Sequence, residues 1–319
     1  MEQPLKRRDR IPAIATAVCL LWTTAYILKP DFLAALTIWP FWVFAGLGVL
    51  PLLFRLRRDR VGLRLAAVFA WVVAWAVAGD EPVAIVRGLV SGPKSRLLRV
   101  VSQNCAGGQL EAAREVAAQK PDIVLFQESP GPSDLESIRA ELGPDWSLLR
   151  GIDASILVRG RLRPVELPPF TTDFIAAWAD IPARRDPVLI VSLRLMPPVF
   201  RLDYWNPECW TAYAQNKADR KKELAAVARF VARESKRGPV ILGGDFNTPP
   251  DRTVTSSLDP ICHDAFLEAG RGWGATAVND YPMVRIDQIW ASSHFKAANV
   301  CAKRTRFSDH QMTVAEFQL

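Results

Sequence analysis

The sequence predicts a layered α/β domain with two sheets between helices, preceded by an all-α region of three transmembrane helices. Three long apolar runs fill the first quarter of the 319 residues. Over the rest of the chain, short apolar runs alternate with amphipathic stretches. The composition agrees with membrane helices, because half of all residues (50%) are hydrophobic although the chain carries many arginines.

The apolar runs cover residues 11–28, 32–54 and 61–79, and Arg64 is their one internal charge. A run of about 20 apolar residues spans a bilayer core, so we predict three transmembrane helices. A cleaved signal peptide fits the first run less well, because no small-residue cleavage site follows it. A soluble helical bundle would need polar faces at helical spacing, and these runs are apolar all round.

Basic residues near the apolar runs predict the orientation, because positive clusters stay in the cytoplasm. The clusters precede the first run and fill the second link: Lys6, Arg7, Arg8, Arg10, Arg55, Arg57, Arg58 and Arg60. We therefore expect an integral protein of a bacterial inner membrane, with everything after about residue 80 outside the cytoplasm. The predicted parts are a membrane anchor over 1–79, a linker over 80–96 and a mixed α/β domain over 97–319. The lipid bilayer is an expected partner, and no protein partner is implied.

The net charge of +7 does not indicate a nucleic-acid-binding surface. Residues 1–94 hold 12 basic and 6 acidic residues, whereas residues 95–319 hold 28 and 27. The later region is nearly neutral and offers no electrostatic footprint for a long polyanion.

The four cysteines of residues 95–319 are widely spaced, which argues against a zinc site and leaves both disulfides and free thiols open: Cys105, Cys209, Cys262 and Cys301.

After residue 96, the pattern predicts alternating strands and helices. Strands are predicted at 97–104, 122–129, 154–160, 187–195, 239–247, 285–292 and 312–319. Helices are predicted at 111–120, 135–143 and 218–238. Several of the strands are near-continuous apolar runs, which is typical of sheets buried on both faces.

Polar side chains follow these strands where they end. The stretch ILGGDFN closes a buried strand with Asp245 and Asn247, whose side chains point the same way on an extended segment. Similar groups stand at or beside other strand ends: Asn104, Glu128, Asp287, Asp309 and His310. Because strand ends are the usual place for sites in α/β sheets, we expect these groups to converge.

In this order, the motifs Asn, Gln-Glu, Gly-Asp-Phe-Asn, Asp and Ser-Asp-His resemble those of the endonuclease/exonuclease/phosphatase superfamily. The resemblance covers roughly residues 97–319. It implies a four-layered α/β sandwich and a hydrolase acting on phosphoric ester bonds, with Mg²⁺ or Mn²⁺ as the cofactor. It further implies that Glu128 and Asp309 bind the metal through oxygen, with Asn104 beside them as an amide or water-bridged contact.

The resemblance also assigns the reacting groups. Asp245 would orient and deprotonate the attacking water, and Asn247 would hold that geometry and donate to the phosphate. His310 would contact a phosphoryl oxygen, with Asp287 fixing its tautomer. Direct attack by water needs no covalent enzyme intermediate.

The chain departs from the superfamily pattern at Arg194, which stands where many members have histidine. We assign Arg194 as a ligand of the substrate phosphate, with an ordinary surface arginine as the alternative. A second histidine after the DQIW aspartate is missing, and no catalytic tyrosine is assignable. Tyr204 and Tyr213 lie in an aromatic insertion, 200–217, that could wall the pocket or face lipid headgroups.

The function predicted is therefore a membrane-anchored, divalent-metal-dependent phosphoesterase acting on phosphodiester or phosphomonoester bonds. Residues 97–319 would be its catalytic domain. A lipid headgroup, a nucleic acid or a small molecule could be the substrate, so nuclease and lipid phosphodiesterase both stay open. The alternative is a catalytically silent binding or scaffolding domain on a membrane anchor. A silent domain would be expected to lose the carboxylates of the site, and all four are present: Glu128, Asp245, Asp287 and Asp309.

Overall fold

The structure is a computed structural model that describes residues 10–53, 61–90, 97–168, 174–182 and 184–318. Apart from Arg10, the basic residues that predict the orientation lie outside this part of the chain. The helices are α1 (Arg10–Leu28), α2 (Ala34–Thr37), α3 (Phe41–Leu53), α4 (Val61–Ala78), α5 (Glu81–Gly88), α6 (Leu110–Arg114), α7 (Pro132–Leu142), α8 (Pro207–Glu234), α9 (Arg252–Thr255) and α10 (Ala265–Ala269). The strands are β1 (Leu97–Asn104), β2 (Ile123–Gln127), β3 (Trp146–Arg150), β4 (Ala154–Arg159), β5 (Arg161–Pro164), β6 (Phe174–Asp180), β7 (Val188–Arg194), β8 (Val240–Asp245), β9 (His263–Asp264), β10 (Asp287–Ala291), β11 (Ala297–Lys303) and β12 (Met312–Gln318).

The strands form two six-stranded sheets, which confirms the predicted α/β sandwich. The first sheet has the order β11-β12-β1-β2-β4-β3, and the second has the order β5-β6-β7-β8-β10-β9. In each sheet one central pair is parallel, β1 with β2 and β7 with β8, so two pairs of carboxyl ends share an edge. This arrangement brings the polar strand ends together.

Three apolar cores hold the layers together. Side chains from both sheets meet in the central core, as Ile123 of β2 and Ile241 of β8 do. On its other face the first sheet packs against α6 and α7, and the second packs against α8 and α9. All five residues of β2 and six of seven in β7 are buried. Burial on both faces explains why these strands read as continuous apolar runs.

Five strands had no prediction from the sequence: β3, β5, β6, β9 and β11. Helix α8 also begins at Pro207 rather than at residue 218. Its start is capped by Asn206, whose side-chain oxygen accepts the N–H of Glu208 at 3.0 Å, and Pro207 suits the first helical position. More than half of the predicted aromatic insertion, residues 207–217, is therefore the opening of a helix.

The amino-terminal helices α1, α3 and α4 pack around Tyr26, Phe41 and Trp71. Among the described residues, Val61–Ala78 is the one helix long and apolar enough to cross a membrane alone. Pro12–Leu28 and Asp31–Thr37 would form a span only as a pair bent by 114°, and Phe41–Leu50 is shorter. The second apolar run is not one helix, because it breaks before Pro40, which disfavours a helical residue before it. Three transmembrane helices therefore stay a prediction.

The segment predicted as a linker contains α5, and this helix is docked on the catalytic domain. Ala84 is buried in the central core, and its carbonyl accepts the N–H of Gly272 at 2.8 Å. The guanidinium of Arg271 donates to the carbonyl of Arg87 at 2.7 Å. Residues 91–96 of the predicted linker lie outside the described residues. The helical region thus contacts the catalytic domain directly.

Buried charges fasten this junction. Arg285 is buried, and its Nη2 lies 2.7 Å from Asp264 and 2.8 Å from Asp80, which precedes α5. Lys217 of α8 is also buried and lies 3.2 Å from Asp31 and 3.3 Å from Asp251. A buried charge is tolerated when it is paired, so both clusters tie the amino-terminal region to the domain.

We expect Arg285→Met to lower the free energy of unfolding by about 3–5 kcal/mol, because it leaves a buried carboxylate without its cation. Denaturant unfolding in detergent, followed by circular dichroism, measures the change. The matched control is Arg163→Met, which removes an exposed pair with Asp180 and should cost no more than about 1 kcal/mol. Equal losses in the two variants would show that the buried cluster adds nothing.

Candidate functional site

The site lies where the two sheets bring their strand ends together. In the second sheet, Asp245 stands opposite Arg194 on β7 and opposite Asp287 on β10. In the first sheet, Asn104 ends β1 beside Gln127, the residue before Glu128. The predicted side chains therefore share one edge of the sandwich.

Backbone conformation at this edge accounts for the glycines before Asp245. Gly244 has φ +145°, and a Cβ there would lie 1.9 Å from the carbonyl oxygen of Leu193. Only glycine fits such a close approach between β7 and β8. Glu128 and Asn247 also have positive φ, 45° and 50°, which is uncommon for residues with side chains and is concentrated at functional sites.

Asn104 joins the two sheets. Its Nδ2 donates to Glu128 Oε1 and to Asp245 Oδ2, both at 3.1 Å. Its Oδ1 accepts the N–H of Ala106 at 2.9 Å, which fixes the orientation of the amide. One buried amide thus holds a carboxylate from each sheet.

Arg194 lies among three carboxylates. Its Nη2 is 2.8 Å from Glu128, its Nη1 is 3.1 Å from Asp153, and its Nε is 4.0 Å from Asp245. Burial alone would raise the pKa of Glu128, but the hydrogen bond from Asn104 and the charge of Arg194 outweigh it and lower that pKa. Glu128 is therefore ionised in the folded protein.

Asp245 is buried and held on both oxygens. Its Oδ1 accepts the backbone N–H of Asn247 at 2.8 Å, while Asn247 Nδ2 donates to the carbonyl of Leu195 at the same distance. Burial, with the nearby charge of Asp287, raises the pKa of Asp245 to about 7. A carboxylate with this pKa can accept a proton from water near neutral pH.

His310 is paired with Asp287 in the structure. Its Nδ1 lies 2.8 Å from Asp287 Oδ2. Burial lowers the pKa of His310, but the charge and hydrogen bond of Asp287 outweigh this effect and raise it to about 10. The imidazole is therefore protonated at neutral pH, and both of its nitrogens are donors.

Two groups of donors could hold a cation. Ligand atoms of Asp245, Asp287 and His310 all lie within 4.8 Å of one another. Asp287 Oδ1 is buried with no hydrogen-bond partner among the described residues, which fits a site that takes a further positive or donating group. A protonated His310, however, has no lone pair for a metal.

The second donor group contains Glu128 and Asp309. Asp309 is exposed, and its main-chain carbonyl accepts the N–H of Asn279 at 2.6 Å. The charge of Asp309 raises the pKa of His310, and the charge of His310 lowers that of Glu128. Both carboxylates therefore lie within electrostatic range of the same imidazole. That Glu128 and Asp309 bind the same metal ion stays a prediction.

Sequence reasoning missed some residues of the site and left the setting of others open. Asp153 pairs with Arg194, yet its only sequence signal was its place just before a predicted strand. Ser308 bridges the site, since its hydroxyl donates to the carbonyl of Asn104 at 2.8 Å. Tyr213 is buried in α8 and bonds to the backbone of Arg201, while Tyr204 bonds to Trp39. All five cysteines are free.

Two mixed sheets with carboxylates, amides and a protonated imidazole at one edge define the framework of a hydrolase. A family model described as the Endonuclease/Exonuclease/phosphatase family matches residues 101–310, more than half of the chain. The chain belongs to this family, and its reaction class is hydrolysis of phosphoric ester bonds. No curated protein sequence matches the chain.

Solved structures of low sequence identity share the fold. A mannosyl-6-phosphatase from Bacteroides thetaiotaomicron is 16% identical, with a TM-score of 0.52 over 70% of this chain and 100% of its own. An endonuclease/exonuclease/phosphatase family protein from the same organism is 16% identical, with a TM-score of 0.54 over 71% and 96%. D. rerio TDP2, complexed with single strand DNA product, is 17% identical, with a TM-score of 0.51 over 70% and 100%.

We expect Asp287→Asn to lower two pKa values together. The pKa of His310 should fall from about 10 toward 6.5, and that of Asp245 should fall below about 7, because Asp287 raises both. Titration of the histidine ring signals by NMR, assigned with His310→Gln, measures the first shift. Asp280→Asn, which removes an exposed partner of Arg304, is the control and should leave His310 unchanged. A His310 pKa still near 10 in Asp287→Asn would contradict the pairing.

Proposed function

We propose that the protein is a divalent-metal-dependent phosphoesterase that is anchored in a membrane and hydrolyses its substrate by direct attack of water. One observation carries this proposal. The amide of Asn104 holds Glu128 and Asp245 side by side, and Asp245 in turn lies against the Asp287–His310 pair. An ionised acid, a base with a pKa of about 7 and a cationic imidazole therefore share one site.

The metal in this proposal is Mg²⁺ or Mn²⁺, held by Glu128 and Asp309 with Asn104 beside them. Hard carboxylate oxygens suit these ions, and the bound ion would neutralise phosphoryl charge. The nitrogen of the Asn104 amide faces both carboxylates, so direct contact of its oxygen with a cation at Glu128 requires the amide to turn over. A water-bridged contact requires no such change.

The residues of the chain supply the remaining steps. Asp245 takes the proton of the attacking water, and the backbone and side chain of Asn247 fix that carboxylate and the adjoining loop. His310, kept cationic by Asp287, donates to a nonbridging phosphoryl oxygen and stabilises the charge that develops there. Arg194 positions Glu128 through its ion pair and offers the substrate phosphate a further cation.

Replacing Asp245 by asparagine should lower kcat for bis(p-nitrophenyl) phosphate by about 10²- to 10⁴-fold, because the general base is lost. The full chain in detergent with Mg²⁺ is assayed by release of nitrophenol. Asp180→Asn, an exposed aspartate at the end of β6, is the matched control and should keep full activity. An Asp245→Asn enzyme as active as the control would exclude this mechanism. Calorimetric titration with Mg²⁺ that showed no specific binding would instead support a silent binding domain.

The membrane part of the proposal is supported by the apolar helices and by the charges around them. We expect α1, α3 and α4 to insert, with the amino terminus inside and the catalytic domain outside the cytoplasm of a bacterial inner membrane. Alkaline phosphatase fused after Leu319 should be active, and green fluorescent protein at the same place should be dark. The reverse pattern would invert the topology and leave the hydrolase chemistry untouched.

A further inference from the structure

Exposed apolar side chains of the catalytic domain are concentrated around the site. Nine large apolar side chains in the described part of residues 97–318 are exposed. Eight of the nine lie in four loops that begin at or touch a residue of the site, and the ninth, Leu267, does not. Single exposed apolar residues are normal on a protein surface, but a set collected around a charged site indicates a binding surface.

Three of these loops adjoin His310 and Arg194. Val278 and Tyr281 follow Ala277, which pairs with His310, and Phe307 precedes the Ser308 that binds Asn104. Ile152 precedes Asp153, the partner of Arg194. Tyr281 is 83% exposed and Ile152 is 82% exposed. These exposed apolar groups therefore lie on loops that carry or contact residues of the site.

The fourth loop leads from the site toward the amino-terminal helices. It begins at Leu195, whose carbonyl accepts the side chain of Asn247, and it carries Phe200 and Trp205 with exposures of 73% and 85%. Its backbone is fixed on α8, because Asn216 bonds to the carbonyl of Pro197 and the N–H of Val199, each at 3.1 Å. The exposed side chains are thus displayed by a well-anchored backbone.

The far end of this loop contacts the helical region. The ring of Phe200 lies 6.2 Å from that of Trp39, and the indole of Trp39 donates to the hydroxyl of Tyr204 at 2.9 Å. Trp39 lies between α2 and α3, and Phe32 just before α2 is 70% exposed. An apolar surface therefore runs from Asn247 to the ends of the predicted membrane helices.

Three arginines at the same surface are already engaged in ion pairs. Arg194 is paired with Glu128 and Asp153, Arg201 with Asp203, and Arg304 with Asp280. A nucleic-acid groove would present unpaired lysines and arginines along the strand. Aromatic groups displayed beside apolar helices are instead typical of the boundary between a bilayer and water.

We propose that this apolar surface rests on the lipid bilayer and that the substrate is a phosphoester of a membrane lipid. The headgroup phosphate enters the site, while the acyl chains stay in the bilayer along the loop from Leu195 to Trp205. The inference rests on the proposed phosphoesterase function and names its substrate class. Water attacks the phosphorus and gives its proton to Asp245 while the P–O bond to the leaving group breaks, and the leaving oxygen takes a proton from solvent. Water is thus the one co-reactant.

The test uses the full chain reconstituted in vesicles of phosphatidylethanolamine and phosphatidylglycerol, with loss of each lipid followed by mass spectrometry. In the double variant Phe200→Ser/Trp205→Ser, lipid hydrolysis should fall at least about tenfold, because two large apolar contacts with the bilayer are lost. Hydrolysis of bis(p-nitrophenyl) phosphate, which is soluble, should stay within about twofold. Leu267→Ser, the exposed apolar residue outside the four loops, is the matched control and should alter neither activity. An unchanged near-ultraviolet circular dichroism spectrum shows that the double variant is folded.

Three outcomes would overturn the inference. Wild-type protein that cleaves the soluble ester and neither vesicle lipid would do so, and so would equal lipid hydrolysis by the double variant and the wild type. Faster cleavage of a single-stranded oligonucleotide than of the lipids would favour a nuclease. In each case, Asp245→Asn tests the proposed function separately: if that variant still loses activity on the soluble ester, the phosphoesterase stands and only the lipid substrate is wrong.

Discussion

The Asn104 amide binds one carboxylate from each half of the molecule, beside the Arg194–Glu128 and His310–Asp287 pairs that also connect the two sheets at this edge. Its nitrogen reaches Glu128 of the first sheet and Asp245 of the second. Two like charges side by side would repel, and the shared donor, together with Arg194, offsets that repulsion. The relative position of the sheets therefore determines whether the reacting groups meet, and the packing of Ile123 against the second sheet serves the chemistry as well as stability.

The sequence pointed to this edge because Asn104, Glu128 and Asp245 end or directly follow strands of strong apolar character. It was insufficient for β3, β5 and β11, which lie toward the sheet edges or carry mixed polar residues, so that no simple apolar run marks them. Asp153 escaped notice for a related reason, since its importance comes from Arg194, which is distant in sequence. Contacts of this kind depend on tertiary packing and leave no local pattern.

Arg194 illustrates how one substitution relative to a family pattern can keep a site intact. An arginine can pair with Glu128 and Asp153 through different nitrogens of one rigid guanidinium, whereas a histidine could not hold both in that way. The position thereby carries a cation, and both carboxylates are held by it.

The docking of α5 fixes the position of the catalytic domain relative to the amino-terminal helices. Ala84 is part of the central core and Asp80 binds Arg285. No long flexible linker therefore separates these residues from α4, which ends at Ala78. The site therefore keeps a set height and tilt with respect to α4. With α1, α3 and α4 inserted as proposed, such an enzyme would meet lipid molecules by lateral diffusion in two dimensions.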